Sequence, residues 1–186
     1  WFSAEVYNDL GVTHLQQNDY RKAQSLFETA LTDDPEYAPA YFNLALAHAA
    51  QGDVGKAKGY LSAYLSRKPG DAQALREKAA LDIKDERYED ALFALKMAME
   101  KTPDWPVLYL DAAALFALMN DPPQAAQNLE KALALSSVMT VYRYYQLPQF
   151  KTLRTTDEGK ALEKKMADLV RSSMISSLIM LLLSDH

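Results

Sequence analysis

Histidine is the side chain in this sequence that could most readily bind a metal ion or move a proton near neutral pH. The chain has three, His14, His48 and His186. His14 and His48 stand 34 residues apart, and neither has a carboxylate or thiol beside it at metal-ligand spacing. We therefore expect these two to be packed or hydrogen-bonded structural residues.

Other catalytic signals are sparse. The chain has no cysteine, which excludes disulfides, a thiolate nucleophile and cysteine-ligated zinc. None of the H-E-x-x-H, G-x-S-x-G, P-loop or G-x-G-x-x-G strings occurs. The acid pairs Asp33-Asp34 and Glu89-Asp90 are expected at helix ends or surface turns, where solvated charge is the default. The sequence therefore predicts no enzyme, no cofactor and no metal site.

Charge and composition restrict the partners. A net charge of -5 disfavours nucleic acid, which is itself a polyanion. No apolar run reaches the ~18 residues of a membrane span, so membrane association is not expected for this segment. The chain begins at Trp1 rather than methionine, and we expect a piece of a longer or processed protein. The compartment stays open, with the cytoplasm slightly favoured and the periplasm as the alternative.

The spacing of His14 and His48 belongs to a repeat that runs through most of the chain. In the first unit the recurring positions are Tyr7, Leu10, Gly11, His14, Ala23, Phe27, Ala30 and Pro35. One period later they are Tyr41, Leu44, Ala45, His48, Ala57, Leu61, Tyr64 and Pro69. The third and fourth units continue with Leu75, Ala79, Asp82, Ala91, Leu95, Pro103 and with Tyr109, Ala113, Phe116, Ala125, Leu129, Ala132. A fixed period with small residues at fixed offsets predicts stacked helix-turn-helix units.

Local signals place the helix boundaries. In the first unit, helix A is predicted at about Ala4 to Gln17 and helix B at about Tyr20 to Thr32, with Asp19 capping helix B. Gly52 is expected to supply a left-handed turn in the second unit. The third turn, 85–87, has no glycine and should be less favourable.

These repeats resemble the tetratricopeptide repeat (TPR) family over residues 4–139. The resemblance implies an all-α fold, an α-α superhelix of the TPR solenoid type. Its repeats would be residues 4–37, 38–71, 72–105 and 106–139, followed by a C-terminal capping extension, residues 140–186. It also implies a protein-interaction scaffold.

The C-terminal extension should contain a short helix, Val138 to Leu147, and a bend that tucks Phe150 and Leu153 inward. Thr155-x-x-Glu158 matches a capping box for a long helix at about 157–183. Its first half is amphipathic, and the predicted buried stripe is Leu162, Met166, Leu169 and Val170.

The second half of the long helix, 174–183, is apolar nearly all round. Another copy of the chain, a different protein or a lipid surface could cover it, and self-association is favoured. The residues predicted to mediate self-association are Met174, Ile175, Leu178, Leu181 and Leu182.

In the TPR family, fixed offsets of helix A line a concave groove. Carried onto this sequence, they predict an apolar, acid-edged peptide-binding groove for an amphipathic helix or an extended apolar peptide with a few basic residues. The predicted groove residues are Asn8, Asp9, Val12, Leu15, Phe42, Asn43, Leu46, Arg76, Glu77, Leu110 and Asp111. The alternative is that the apolar members merely pack against neighbouring helices.

Chaperone-binding members of the family hold a C-terminal carboxylate with a clamp of two lysines, two asparagines and an arginine. Only Asn43 matches that clamp. Asn8, Val12, Gln73 and Glu77 stand at the other four positions, and Glu77 reverses the charge. Binding of chaperone tails is therefore not expected.

The sequence is consistent with two functions. The first is a non-catalytic protein-protein interaction scaffold that uses the groove. The second is a regulatory or oligomerisation module of a larger sensor, enzyme or membrane-associated assembly protein, in which the C-terminal helix drives association.

Overall fold

The computed structural model describes the backbone of residues 3–184 and the side chains of residues 3–174. All the secondary structure in this part of the chain is helical, so the predicted all-α fold class is confirmed. The chain divides into two compact units, unit 1 (Trp1–Lys101) and unit 2 (Thr102–His186).

Unit 1 consists of helical hairpins, each built from two consecutive helices. In chain order the pairs are α1 (Ala4–Gln16) with α2 (Tyr20–Asp33), α3 (Ala38–Ala50) with α4 (Val54–Arg67), and α5 (Ala72–Lys84) with α6 (Tyr88–Lys101). The boundaries predicted for the first pair are correct to one residue. A fully buried alanine, Ala23, Ala57 or Ala91, stands at the same offset of each hairpin and lets its two helices approach closely.

The turn inside each hairpin uses a left-handed residue at one fixed offset. These residues, with φ of 60°, 81°, 57° and 57°, are Asn18, Gly52, Glu86 and Asn120. The left-handed backbone expected at Gly52 is confirmed. Glu86 adopts it without the advantage of glycine or asparagine, which agrees with the expectation that the third turn is less favourable.

Aspartates cap three of the B helices. The carboxylate of Asp19 accepts from the backbone N–H of Lys22 at 3.4 Å, as predicted. Asp53 and Asp121 accept in the same way from Lys56 and Gln124, each at 3.1 Å. In the third hairpin, Arg87 occupies this position and pairs instead with Asp82.

Unit 2 contains one hairpin, α7 (Pro106–Leu118) with α8 (Pro122–Leu135), and the C-terminal extension. The extension comprises α9 (Val138–Tyr145), two 3-10 turns (Pro148–Phe150 and Leu153–Thr155) and α10 (Asp157–Ser184). Phe150 and Leu153 are buried against Tyr145, Leu129 and Leu162, as the sequence predicts.

Two predictions for α10 need correction. Thr156, rather than Thr155, caps the helix, because its hydroxyl accepts from the Gly159 N–H at 3.2 Å while the Thr155 hydroxyl donates to the Thr152 carbonyl. Leu162 and Met166 are buried, but Leu169 and Val170 are exposed. The predicted stripe therefore covers only the first turns of α10, where α8, α9 and the second 3-10 turn pack against it.

Candidate protein-binding surface

An amide contact joins the first helices of two successive hairpins in unit 1. The Asn43 side-chain amide donates to Asn8 Oδ1 at 2.8 Å, linking α3 to α1. Asn8 Nδ2 in turn lies 3.5 Å from Asp9 Oδ1. Asn8 is buried, so its amide holds the two helices together rather than facing solvent. A role of Asn8 as a groove contact stays a prediction.

Carboxylates surround this contact on α1. Glu5 and Asp9 are both exposed. The pKa of the Tyr37 hydroxyl, just before α3, is raised, first by burial and then by the negative charges of Glu5 and Asp9. The two carboxylates are therefore close enough to impose a negative potential at the start of α3.

Helices α1 and α3 also carry partly exposed apolar side chains. Phe42 packs at a tilt against the ring of Tyr64, with 5.1 Å between ring centroids. Val12 and Leu15 contact the core of the first hairpins and are partly exposed, as is Leu46. Each contributes to packing and still presents part of its surface. We call Asp9, Val12, Phe42, Asn43 and Leu46 the A-helix face.

The remaining predicted groove residues lie on α5 and α7. Arg76 and Glu77 are half-buried on α5, and Asp111 is half-buried on α7. Leu110 is only 1% exposed and belongs to the core of unit 2, together with Ala113 and Leu129. Its prediction as a groove residue is therefore corrected to a core residue.

His14 and His48 lie inside the hairpins, each near a polar side chain. His48 is buried, stacks on Tyr60 with 5.4 Å between centroids, and lies 3.3 Å from the Gln24 side-chain amide. His14 Nδ1 lies 3.4 Å from Asp19 Oδ2. Both have the structural environment that the sequence predicts. Among the described residues, no three histidine or acidic side chains are grouped so that they could hold a metal ion.

The predicted self-association segment is only partly described. Met174 is 68% exposed on α10. The side chains of Ile175, Leu178, Leu181 and Leu182 lie outside the described residues. Within the described part of the chain, no helix combines the length and apolar character needed to cross a bilayer.

Two features were missed by reading the sequence. The first is Asp82, a fully buried carboxylate that pairs with Lys58, Lys78 and Arg87. The second is an apolar groove between α9 and α10, onto which Met139 and Tyr142 open. A signal for the groove was available, because Met139 and Tyr142 lie three residues apart on α9 and so share one side of the helix.

A fold built from consecutive helical hairpins of constant length defines a helical-repeat protein of the solenoid class. Residues 8–72 match the sequence model of the tetratricopeptide repeat. The chain is also 30% identical over 145 residues to tetratricopeptide repeat protein 7B of Mus musculus, and 31% identical to that of Homo sapiens, in each case over 72% of its length. It belongs to the tetratricopeptide repeat family, and spans 17% of the length of these two relatives.

Solved structures show the same fold at low identity. The protein MamA 41-end from Desulfovibrio magneticus RS-1 superposes with a TM-score of 0.75 at 18% identity, covering 91% of this chain and 96% of that one. TTC0263, a thermophilic TPR protein of Thermus thermophilus, gives a TM-score of 0.66 at 23% identity, covering 95% of this chain and 100% of that one. Folds of this kind provide scaffolds for protein-protein contacts.

Proposed function

We propose that this chain is a non-catalytic scaffold that binds a protein segment on the A-helix face of unit 1. One observation carries the proposal: the Asn43–Asn8 hydrogen bond joins the first helices of two adjacent hairpins, and these helices carry the half-buried Phe42 and Leu46 and the exposed Glu5 and Asp9. A bound segment would bury apolar side chains against Phe42 and Leu46. Its basic residues would meet the carboxylates.

The partner chemistry follows from this arrangement. Apolar contact supplies most of the affinity, since the carboxylates are exposed and their ion pairs would be screened. The charges select among apolar segments and make association faster at low salt. We therefore propose an amphipathic helix or extended segment that carries Lys or Arg beside its apolar residues.

The test uses a displayed library of random peptides selected against the purified chain. Peptides that combine apolar residues with Lys or Arg are expected to enrich, and Phe42→Asp with Leu46→Asp is expected to abolish their binding. Phe93→Asp is the matched control, because Phe93 is 64% exposed on helix α6 rather than on the A-helix face. Binding that survives the double change, with helicity intact by circular dichroism, would exclude this face.

A second candidate function is self-association of a module within a larger protein. The match to a small part of much longer relatives favours it, as do the apolar side chains exposed on α9 and α10. The sequence assigns association to Met174, Ile175, Leu178, Leu181 and Leu182. Deletion of residues 174–186 should then convert an oligomer to a monomer in size-exclusion chromatography with light scattering.

A further inference from the structure

The α9–α10 groove is an apolar surface within unit 2. It has a volume of about 540 Å³ and is lined by Val138, Met139, Tyr142, Glu163, Met166, Ala167, Val170 and Arg171. Met139 is 53% and Tyr142 44% exposed. Exposed apolar side chains gathered along one groove favour burial against another molecule.

The α10 side of this groove has a symmetric arrangement of charge. Glu163 and Arg171 lie four residues before and after Ala167, so all three share one face of the helix. At ~1.5 Å per residue, each charge lies about 6 Å along the helix axis from Ala167. A second α10 running antiparallel and crossing at Ala167 would therefore place its Arg171 opposite Glu163 of the first, and the reverse.

We propose that the α9–α10 groove is the docking surface of a second copy of this chain, with the two α10 helices antiparallel and crossing at Ala167. Such a contact is isologous, so one two-fold axis forms both Glu163–Arg171 pairs. The small side chain of Ala167 lets the helix backbones approach at the axis. Val170 and Tyr142 of each copy become buried beside it.

This inference rests on the proposed self-association but moves the contact from the apolar end of α10 to residues 163–171. Within one chain, Glu163 interacts with the Tyr145 hydroxyl, and Arg171 Nη1 lies 3.5 Å from Asp168 Oδ1. Glu163 and Arg171 of the same chain are about 12 Å apart along the axis and cannot pair. If a charge reversal at one of these positions prevents dimerisation and a second reversal at the other restores it, the two residues must pair between copies.

The first test uses a disulfide at the crossing point. The chain has no cysteine, so Ala167→Cys introduces a single thiol. In the proposed dimer the two thiols meet at the axis, and mild oxidation should convert most of the chain to a covalent dimer. Ala161→Cys is the matched control, since Ala161 is exposed on α10 outside the groove. Equal cross-linking of both variants, or no cross-linking of Ala167→Cys, would overturn the proposal.

The second test reverses charges. Either Glu163→Arg or Arg171→Glu alone places two like charges opposite each other at both pairs of the dimer. Each single variant is therefore expected to have the mass of one chain rather than two. Mixed together, the two variants restore both pairs in a heterodimer, and the Glu163→Arg, Arg171→Glu double variant dimerises as the parent does. Lack of recovery in the mixture and in a folded double variant would overturn the antiparallel register.

Truncation separates this inference from the proposed function. Deletion of residues 174–186 should leave the dimer intact if residues 163–171 form the contact. A monomeric truncated chain, with no response to the charge reversals, would keep self-association and reject the groove as its site. A parent chain that is monomeric at every concentration would reject both, and would leave the groove to a different protein or a lipid surface.

Discussion

The carboxylate of Asp82 on α5 is fully buried and lies 3.0 Å from the ammonium of Lys58 on α4, so one ion pair joins two adjacent hairpins. Lys78 Nζ lies 2.6 Å from the same carboxylate, and Arg87 also pairs with it. Burial alone would raise the pKa of Asp82, but hydrogen bonds from Lys78, Arg87 and Lys58 outweigh it and lower the pKa below its usual value.

This cluster modifies an arrangement that the first two hairpins share. His14 Nδ1 lies 3.4 Å from Asp19 Oδ2 and His48 Nδ1 lies 3.6 Å from Asp53 Oδ2, each histidine five residues before its aspartate across the turn. In the third hairpin the acid and the base have exchanged places, as Asp82 and Arg87. The exchange removes the aspartate cap of α6 and places a carboxylate in the core.

Asp82→Ala should destabilise unit 1. The change leaves Lys58, Lys78 and Arg87 close together without their shared counter-charge. Breaking a buried pair costs about 3–5 kcal/mol, and the partial exposure of the three cations reduces the expected loss to about 2–4 kcal/mol. Urea unfolding followed by circular dichroism measures it.

The control for Asp82→Ala restores the pairing of the other hairpins. Asp82→His combined with Arg87→Asp recreates the arrangement of a histidine five residues before a capping aspartate. Lys58 occupies the repeat position of Gln24, whose side-chain amide faces His48. Adding Lys58→Gln therefore supplies the same amide to the new histidine. This triple variant should be more stable than Asp82→Ala. A triple variant no better than the single change would show that the pairing is not what stabilises the site.

The stabilising contribution of Asp82 should disappear in acid. A carboxyl group whose folded pKa is lowered stabilises the fold fully above its unfolded value of about 3.9 and loses that contribution as pH falls through the folded value. The stability difference between the parent and Asp82→Asn should thus be constant from pH 7 to about 5 and shrink below pH 4. Urea titrations at successive pH values give the difference directly. A gap that widens in acid would contradict the lowered pKa of Asp82.

The pair of Gly11 and Phe27 should show size compensation. A Cβ on Gly11 would lie 2.7 Å from Phe27 Cδ1, so Gly11→Ala overpacks the first hairpin and should cost about 1–2 kcal/mol after the gain in helix propensity. Phe27→Leu should cost about 1 kcal/mol through the cavity it leaves. The double variant reproduces the alanine–leucine combination of the later repeats. It should be more stable than the sum of the single effects by about 1 kcal/mol or more, and strict additivity would rule out the contact.

The left-handed turn at Glu86 should be improved by glycine. A non-glycine residue at φ 57° costs about 1–2 kcal/mol. Glycine removes this cost but loses more backbone entropy on folding, so only part of the cost is recovered. We expect Glu86→Gly to stabilise unit 1 by about 0.5–1 kcal/mol in thermal or urea unfolding. Glu89→Gly, inside the first turn of α6, is the control and should destabilise it. Similar effects of both changes would mean that backbone conformation is not the cause.

The sequence predicts the hairpins well because their determinants are local and repeated. Buried alanines such as Ala57, the turn glycine Gly52 and the cap Asp19 each act within one hairpin, and the period identifies them without knowledge of neighbours. Membership of the family and the all-α class follow from the same period. Prediction of this kind needs no long-range contact.

The surfaces are harder to predict because a period gives the side of a helix but not what covers it. Leu110 and Phe42 occupy the same position in their repeats, yet Leu110 is a core residue and Phe42 is partly exposed. Asp82 would be read as a solvated charge, and only the fold brings Lys58 to it. Val170 is likewise exposed because α8, α9 and the second 3-10 turn pack only on the first turns of α10. Whether the A-helix face binds protein stays a prediction.

Gly159, the one glycine of unit 2, should not tolerate a side chain. It lies in the first turn of α10 and packs against the second 3-10 turn. A Cβ on Gly159 would stand 2.7 Å from the Leu153 carbonyl carbon and 2.9 Å from the Tyr145 hydroxyl. That hydroxyl donates to the Gly159 carbonyl at 3.0 Å, so the helix cannot move away without breaking a buried hydrogen bond. Gly159→Ala should cost about 2–3 kcal/mol, measured by the thermal unfolding of the full chain.

The matched control for Gly159 is Gly59, a glycine within α4 that has nothing within 4 Å of the position of an added Cβ. Gly59→Ala should stabilise the chain by about 0.5–1 kcal/mol, because alanine loses less backbone entropy in a helix. The same substitution is therefore expected to act with opposite sign at the two sites. The sign is decided at Gly159 by a backbone carbonyl, which cannot rotate aside as a side chain could. Stabilisation by Gly159→Ala would mean that α10 does not pack on the bend through this contact.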